Sequence, residues 1–246
     1  MVAVLRLLGV LASVAVAATP IGDFRGERLS YDVMWGGMVV GHARIETLPT
    51  TASHLMVVRT TARANKTIQS LYPVRDTIES FFDTATGLPL EFRKRQLEGS
   101  YEAEFKIGFD RARQLASVSG SAKGKPRPDT TLRLEGGEFD LLSAFLWTRR
   151  NELQPGKSLW FPLVDNRKRF ASVEVACLKR ETIEMDSGKV RTLLIQPRIH
   201  GDALFASKGK LYIWLTDDAE RVPVRMKSKI KLGTIQADLV SRVPPR

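Results

Sequence analysis

From Tyr101 to Phe109 the chain alternates with period two. Tyr101, Ala103, Phe105, Ile107 and Phe109 interleave with Glu102, Glu104 and Lys106. Successive side chains of a strand point to opposite faces, so this pattern describes a strand with one buried face and one wet face. The same alternation places Leu29, Tyr31, Val33 and Trp35 against Ser30, Asp32 and Met34, and His42, Arg44 and Glu46 against Ala43 and Ile45. Further extended segments are predicted over 54–64, 74–83, 88–98, 114–119, 130–135, 158–164, 168–179, 189–199, 208–216, 221–233 and 234–243. Turn residues separate them: Gly36-Gly37, Asp165-Asn166, Ser187-Gly188 and Asp217 to Glu220. Short strands joined by tight turns pair antiparallel. The expected fold is therefore all-β, a partly open barrel or strongly curved sheet with two short helices.

The first helix is predicted over Asn65 to Tyr72, with Ile68, Leu71 and Tyr72 on one face and Pro73 as its stop. The second runs from Asp140, a good N-cap, to about Glu152. Its apolar face is Leu141, Leu142, Phe145 and Leu146, and Arg149 and Arg150 suit its negative end. The polar, basic stretch 120–129, rich in Gly and Pro, reads as a mobile loop.

The N-terminus narrows the setting. Residues 1–18 hold one cation, Arg6, then an apolar run from Leu7 to Ala17 and small residues, the pattern of a cleaved signal peptide. That run is too short for a helix to cross a bilayer core of about 30 Å. The only cysteine, Cys177, lies far from the cleavage region, so lipid attachment there is not expected and no internal disulfide can form. A periplasmic protein follows, with residues 19–246 as a single β-rich domain. The hydrophobic fraction of 43% excludes disorder. The formal charge is +11, or +10 once Arg6 is removed. For an exported chain that balance points to anionic lipid, glycan or an envelope protein as partner, rather than nucleic acid.

The clearest basic run is RVPVRMKSKIKL over 221–232. Arg225, Lys227, Lys229 and Lys231 share one strand face and would span about 20 Å at strand rise. They form a candidate strip for phosphate or carboxylate groups, with a solvated edge protected by lysines as the plainer alternative. Trp35, Trp147, Trp214 and Trp160, with Phe105, Phe109 and Phe145, are candidate contacts for an apolar cavity, or simply core. His42, His54 and His200 show no metal-ligand spacing, although His42 and His54 could meet across neighbouring strands. No GxSxG or SxxK occurs, and no cofactor is implied. Asp76, Glu79, Asp83, Glu102 and Glu104 could pair only if the fold set them at a fixed separation. Cys177 shares parity with Val173 and Val175 and reads as core.

Three groups of residues carry a family likeness. They are Glu27 to Val33 with Trp35-Gly36-Gly37 and Gly41-His42-Ala43; Leu71 to Asp76 with Leu88-Pro89-Leu90; and Leu211 to Asp218 with Arg221 to Val224 and Gly233. On them the chain resembles a family of bacterial exported proteins known as a domain of unknown function. The resemblance implies an envelope protein with no catalytic set to carry over. A weaker likeness to the open β-barrels of periplasmic lipoprotein carriers implies a curved sheet around an apolar space. The expected function is non-enzymatic binding of an anionic or amphiphilic envelope component, such as a lipid, part of a lipopolysaccharide or an acyl chain. Peripheral contact with a membrane surface is compatible with this. A glycan- or peptidoglycan-binding module, or an unrecognised hydrolase, are the rival expectations.

Overall fold

The computed structural model describes residues 24–199, 210–230 and 233–246. The segment read as a signal peptide, His200 and Lys231 lie outside them. The first eight strands are β1 (Arg28–Trp35), β2 (Met38–Pro49), β3 (Leu55–Ala64), β4 (Arg75–Asp83), β5 (Pro89–Glu98), β6 (Tyr101–Asp110), β7 (Leu115–Ala122) and β8 (Lys125–Arg133). The other six are β9 (Ser158–Asp165), β10 (Lys168–Met185), β11 (Gly188–Ile199), β12 (Leu211–Thr216), β13 (Pro223–Ile230) and β14 (Gly233–Val243). Helix α1 (Lys66–Leu71) joins β3 to β4, and α2 (Leu141–Arg150) joins β8 to β9. The expected antiparallel curved sheet with two short helices is what forms.

All the described strands lie in one 14-stranded sheet, in the order β8-β7-β6-β5-β4-β3-β2-β1-β14-β13-β12-β11-β10-β9. Two meanders are joined where the first strand pairs with the last, from Arg28 opposite Val243 to Trp35 opposite Ile235. The edges, β8 and β9, do not pair with each other. The chain leading into α2 partly bridges the gap: Phe139 N–H donates to the Pro162 carbonyl at 3.0 Å, and Val164 N–H donates to the Phe139 carbonyl at 2.9 Å. Arg167, in the β9–β10 turn, reaches the Pro128 carbonyl and the Thr130 hydroxyl of the opposite edge.

Alternation fixes which face is inside. Leu29, Tyr31, Met56, Val58, Phe82, Phe92 and Ile107 are buried on the inner face, and α2 lies against them through Leu142 and Leu146. On its other side Ala144 and Trp147 pack with Phe139, Phe161, Val175, Leu193 and Ile213. The helix therefore fills the inside of the curve. Its ends are pinned by buried polar groups. Asp140 caps the Leu142 and Ser143 N–H groups, both at 2.9 Å, and Ser80 of β4 donates its hydroxyl to Asp140 at 2.6 Å. Burial pushes the Asp140 carboxyl up to about 6 despite those donors. At the far end Arg149 makes a two-pronged pair with Glu27, at 2.6 and 3.0 Å, and also donates to the carbonyls of Arg221 and Glu220.

Four expectations need correction. The stretch 120–129 is not a loop but the β7–β8 hairpin, turned at Lys123 and Gly124, both with positive φ. Its prolines, Pro126 and Pro128, fall on the edge strand, where a missing N–H does no harm and discourages edge pairing. Arg149 does not merely complement the helix end: it is buried and held by Glu27. In α1, Ile68 is half-buried, but Leu71 and Tyr72 face solvent. His42 and His54 do not meet, because His42 is registered beside Asp32 and Arg63 while His54 sits in the β2–β3 turn. Cys177 is buried in the core as its parity predicts, and burial pushes its thiol up.

Candidate functional site: a cationic groove on the outer face

The outer face of β3–β6 gathers charge because cross-strand register lines up the wet positions of four alternating strands. One row runs Arg59, Glu79, Arg93, Lys106, and the next runs Thr61, Thr77, Arg95, Glu104. Neighbouring strands are about 4.8 Å apart, so each row crosses about 14 Å of surface. Together with Arg63 and Phe105 these residues line an open groove of about 570 Å³. Arg59, Arg63, Arg93, Arg95 and Lys106 outnumber the two lining carboxylates, Glu79 and Glu104.

A ladder of ion pairs holds the rows in place. Arg59 donates to Glu79 at 2.7 Å, and Arg95 to Glu104 at 2.9 Å. At the rim Glu91 takes Lys106 at 2.8 Å and also pairs with Arg93, whose guanidinium stacks on Phe81. Burial alone would raise the Glu91 carboxyl, but the hydrogen bonds from Lys106 and Arg93 outweigh it and hold it below the usual range. Arg63 makes no ion pair with a described residue, and its cross-strand neighbours are His42 and Arg75. The Arg95–Glu104 pair is exposed on both sides and worth less than about 1 kcal/mol, so an incoming anion can displace that carboxylate at small cost. The lining offers guanidinium and hydroxyl donors in a planar array. Among its side chains there is no histidine or cysteine, and its carboxylates are paired with cations. Guanidinium and hydroxyl donors in such an array suit phosphate or carboxylate oxygens.

The residues singled out from sequence lie elsewhere, and they do not converge. Arg225 forms a two-pronged pair with Asp238, both contacts at 2.6 Å, and also donates to the Glu184 carbonyl at 3.2 Å. Lys227 stands over the Trp214 ring at 5.7 Å, while the Trp214 indole donates to Glu181 at 2.9 Å. Lys229 is exposed, and Lys231 is outside the described residues. Trp147 is buried against Phe139 and Phe161, with ring centroids 5.5 Å from each. Trp35 stands exposed at the end of β1, and Trp160 is exposed on β9. Among the described residues no group of three or more His, Cys, Asp or Glu could hold a metal ion. No described helix is long and apolar enough to cross a membrane. The sequence did carry a signal for the groove, the outward Arg and Lys of β3, β5 and β6. Only the register shows that they share one surface.

The comparisons speak to family and fold. No curated protein matches the sequence. A crystal structure of a β-barrel-like protein of the unknown-function family DUF1849 from Brucella abortus superposes with a TM-score of 0.55 at 15% identity. That match covers 90% of this chain and 98% of that one, which establishes a shared fold. A crystal structure of a candidate lipoprotein from Parabacteroides distasonis matches at 10% identity with a TM-score of 0.30, over 89% of this chain and 95% of that one. The family described as "protein of unknown function (DUF3108)" matches residues 30–240, nearly the whole described fold, and the chain belongs to that family.

Proposed function

We propose that the protein is a non-catalytic binder of an anionic component of the bacterial envelope, exported to the periplasm, and that the β3–β6 groove receives the ligand's phosphate or carboxylate groups. The observation that carries this reading is the excess of five cations over two carboxylates in one open groove of about 570 Å³. Cations repeated along and between the two rows suit a ligand with more than one anionic group, and the Thr61 and Thr77 hydroxyls suit a polar ligand such as a phosphorylated or acidic saccharide. An enclosed acyl chain has less support, because α2 and the core side chains occupy the inside of the curve. The DUF1849 neighbour supports the fold and carries no ligand information.

The test is binding of purified lipopolysaccharide and of acidic muropeptides, followed by calorimetry across a salt series. The paired variant Arg63→Ser/Arg95→Ser should weaken the binding of whichever probe is held by roughly tenfold or more, since two ionic contacts are lost. Unchanged affinity for both probes, with the fold intact, would remove the groove from the account.

A further inference from the structure

We infer that the end of the sheet carrying the β1–β2 turn and α1 is a docking tip for an anionic bilayer surface. This does not depend on the groove reading. Antiparallel order sends the β1–β2, β3–β4, β5–β6, β7–β8 and β13–β14 connections to the same end, opposite the one where the chain enters α2.

Four of these connections form a continuous apolar arc. Trp35 lies beside Gly233 at the start of β14, close enough that its indole Nε1 would be 3.3 Å from a Cβ there. Across the Gly36-Gly37 turn stand Met38 and Val39. The cap of α1 is bonded to that same strand: Asn65 N–H donates to the Val40 carbonyl at 2.9 Å, and its side chain donates to the Val39 carbonyl at 2.7 Å. The helix then presents Leu71, and Tyr72 covers Gly99 in the β5–β6 turn so closely that a Cβ there would meet its ring at 2.5 Å. Leu71 is 82% exposed, Met38 66%, Tyr72 52%, Val39 42% and Trp35 41%. Single exposed apolar residues are ordinary, but five on adjoining tips, two of them Trp and Tyr, form the kind of patch that marks an interaction site. Trp and Tyr have an apolar ring with a polar edge and settle at the headgroup level of a bilayer.

Charge identifies the occupant. Around the arc stand Arg63, Lys66, Arg75, Lys123, Lys125 and Lys229, and none makes an ion pair with a described residue. Described carboxylates at this end include Asp76, Glu98 and Glu102. Burial, and then the neighbouring Glu98, raise the Asp76 carboxyl to about 6. At the opposite end four arginines are matched: Arg149 by Glu27, Arg242 by Glu220, and both Arg180 and Arg191 by Asp217. An apolar tip ringed by unpaired cations fits a surface of anionic lipid headgroups. A second copy of the chain docked by two-fold symmetry would bring the same cations face to face, which disfavours self-association here.

The experiment is co-sedimentation of the protein with vesicles of phosphatidylethanolamine and phosphatidylglycerol, and with vesicles of phosphatidylcholine alone, read together with tryptophan quenching by acyl-brominated phosphatidylglycerol. The protein should sediment with the anionic vesicles and lose that association at high salt. The exposed double variant Met38→Ser/Leu71→Ser, with an unchanged melting temperature, should partition roughly tenfold less, as expected for two apolar side chains withdrawn from the interface. Trp35→Phe should keep most of the binding but lose most of the bromine quenching, because Trp147 is buried and Trp214 and Trp160 lie elsewhere on the sheet. Equal binding to both vesicle types, undiminished partition of the double variant, or full quenching in Trp35→Phe would overturn the inference. Loss of vesicle binding in Arg63→Ser/Arg95→Ser with full retention in Met38→Ser/Leu71→Ser would assign the lipid contact to the groove and overturn the tip.

Discussion

The two ends of the curved sheet spend their charges differently. At the end closed by α2, cations are drawn into the fold: Arg149 is buried against Glu27 and stacks on Phe24 at 4.2 Å, and Arg111 and Arg169 gather around the buried Glu138. At the end carrying α1 and the β1–β2 turn, Arg63, Lys66 and Arg75 stand in solvent without ion pairs among the described residues. The contrast separates two roles for one residue type. A buried arginine with a complete set of acceptors fixes architecture, whereas an exposed one without a partner contributes little to folding and is free for a ligand.

Removing Glu27 should break the comparison most severely. Glu27→Ala leaves the buried Arg149 guanidinium without its anion and should cost about 3–5 kcal/mol in urea unfolding. If it costs no more than a surface substitution, the latch between α2 and the N-terminal segment is not as described. Leu146→Ala should follow, at about 2–5 kcal/mol, because Leu146 is fully buried between α2 and the sheet and its loss leaves a cavity.

A pH effect at the other end of α2 comes next. The Asp140 carboxyl is raised to about 6 by burial, from an unfolded value near 3.8. Between those values the folded state binds more protons than the unfolded state, so this group makes stability fall as pH rises through the window and leaves a constant penalty above it. Asp140→Asn keeps the cap, since the Ser80 hydroxyl can turn to accept from the new amide. It should flatten the pH dependence of the melting temperature between about pH 4 and about pH 6. An unaltered slope would show that Asp140 does not titrate there. The smallest effect belongs to the exposed end: Arg63→Ser should change stability by less than about 0.5 kcal/mol, the usual range for such surface sites.

The distribution of these effects explains what the sequence could reveal. The period-two pattern of β6 and the cap at Asp140 are local signals, and both the strands and the helices they announce are present. The pairing of β1 with β14 joins the two ends of the domain, and nothing in a local window encodes it. The Arg149–Glu27 pair spans 122 positions and is equally silent. The β7–β8 hairpin was obscured because Gly, Pro and Lys are loop residues by composition but also the residues that protect an exposed edge strand. The basic run around Arg225 was conspicuous because its cations recur at every second position of one segment. Its first member is tied to Asp238, while the cations of the groove are scattered over β3, β5 and β6 and meet only through register. Sequence order therefore favours a strip along one strand over a row across several.

The most direct measurement is to compare Arg63→Ser/Arg95→Ser and Glu27→Ala side by side, each for thermal stability and for binding of lipopolysaccharide and acidic muropeptides. The account predicts a groove variant that melts with the parent but has lost roughly tenfold or more in binding. It predicts a Glu27 variant whose stability falls steeply and whose remaining folded fraction binds normally. A groove variant that binds both probes as tightly as the parent, or that fails to bind only because it no longer folds, would contradict the division of labour between the buried Arg149–Glu27 latch and the groove.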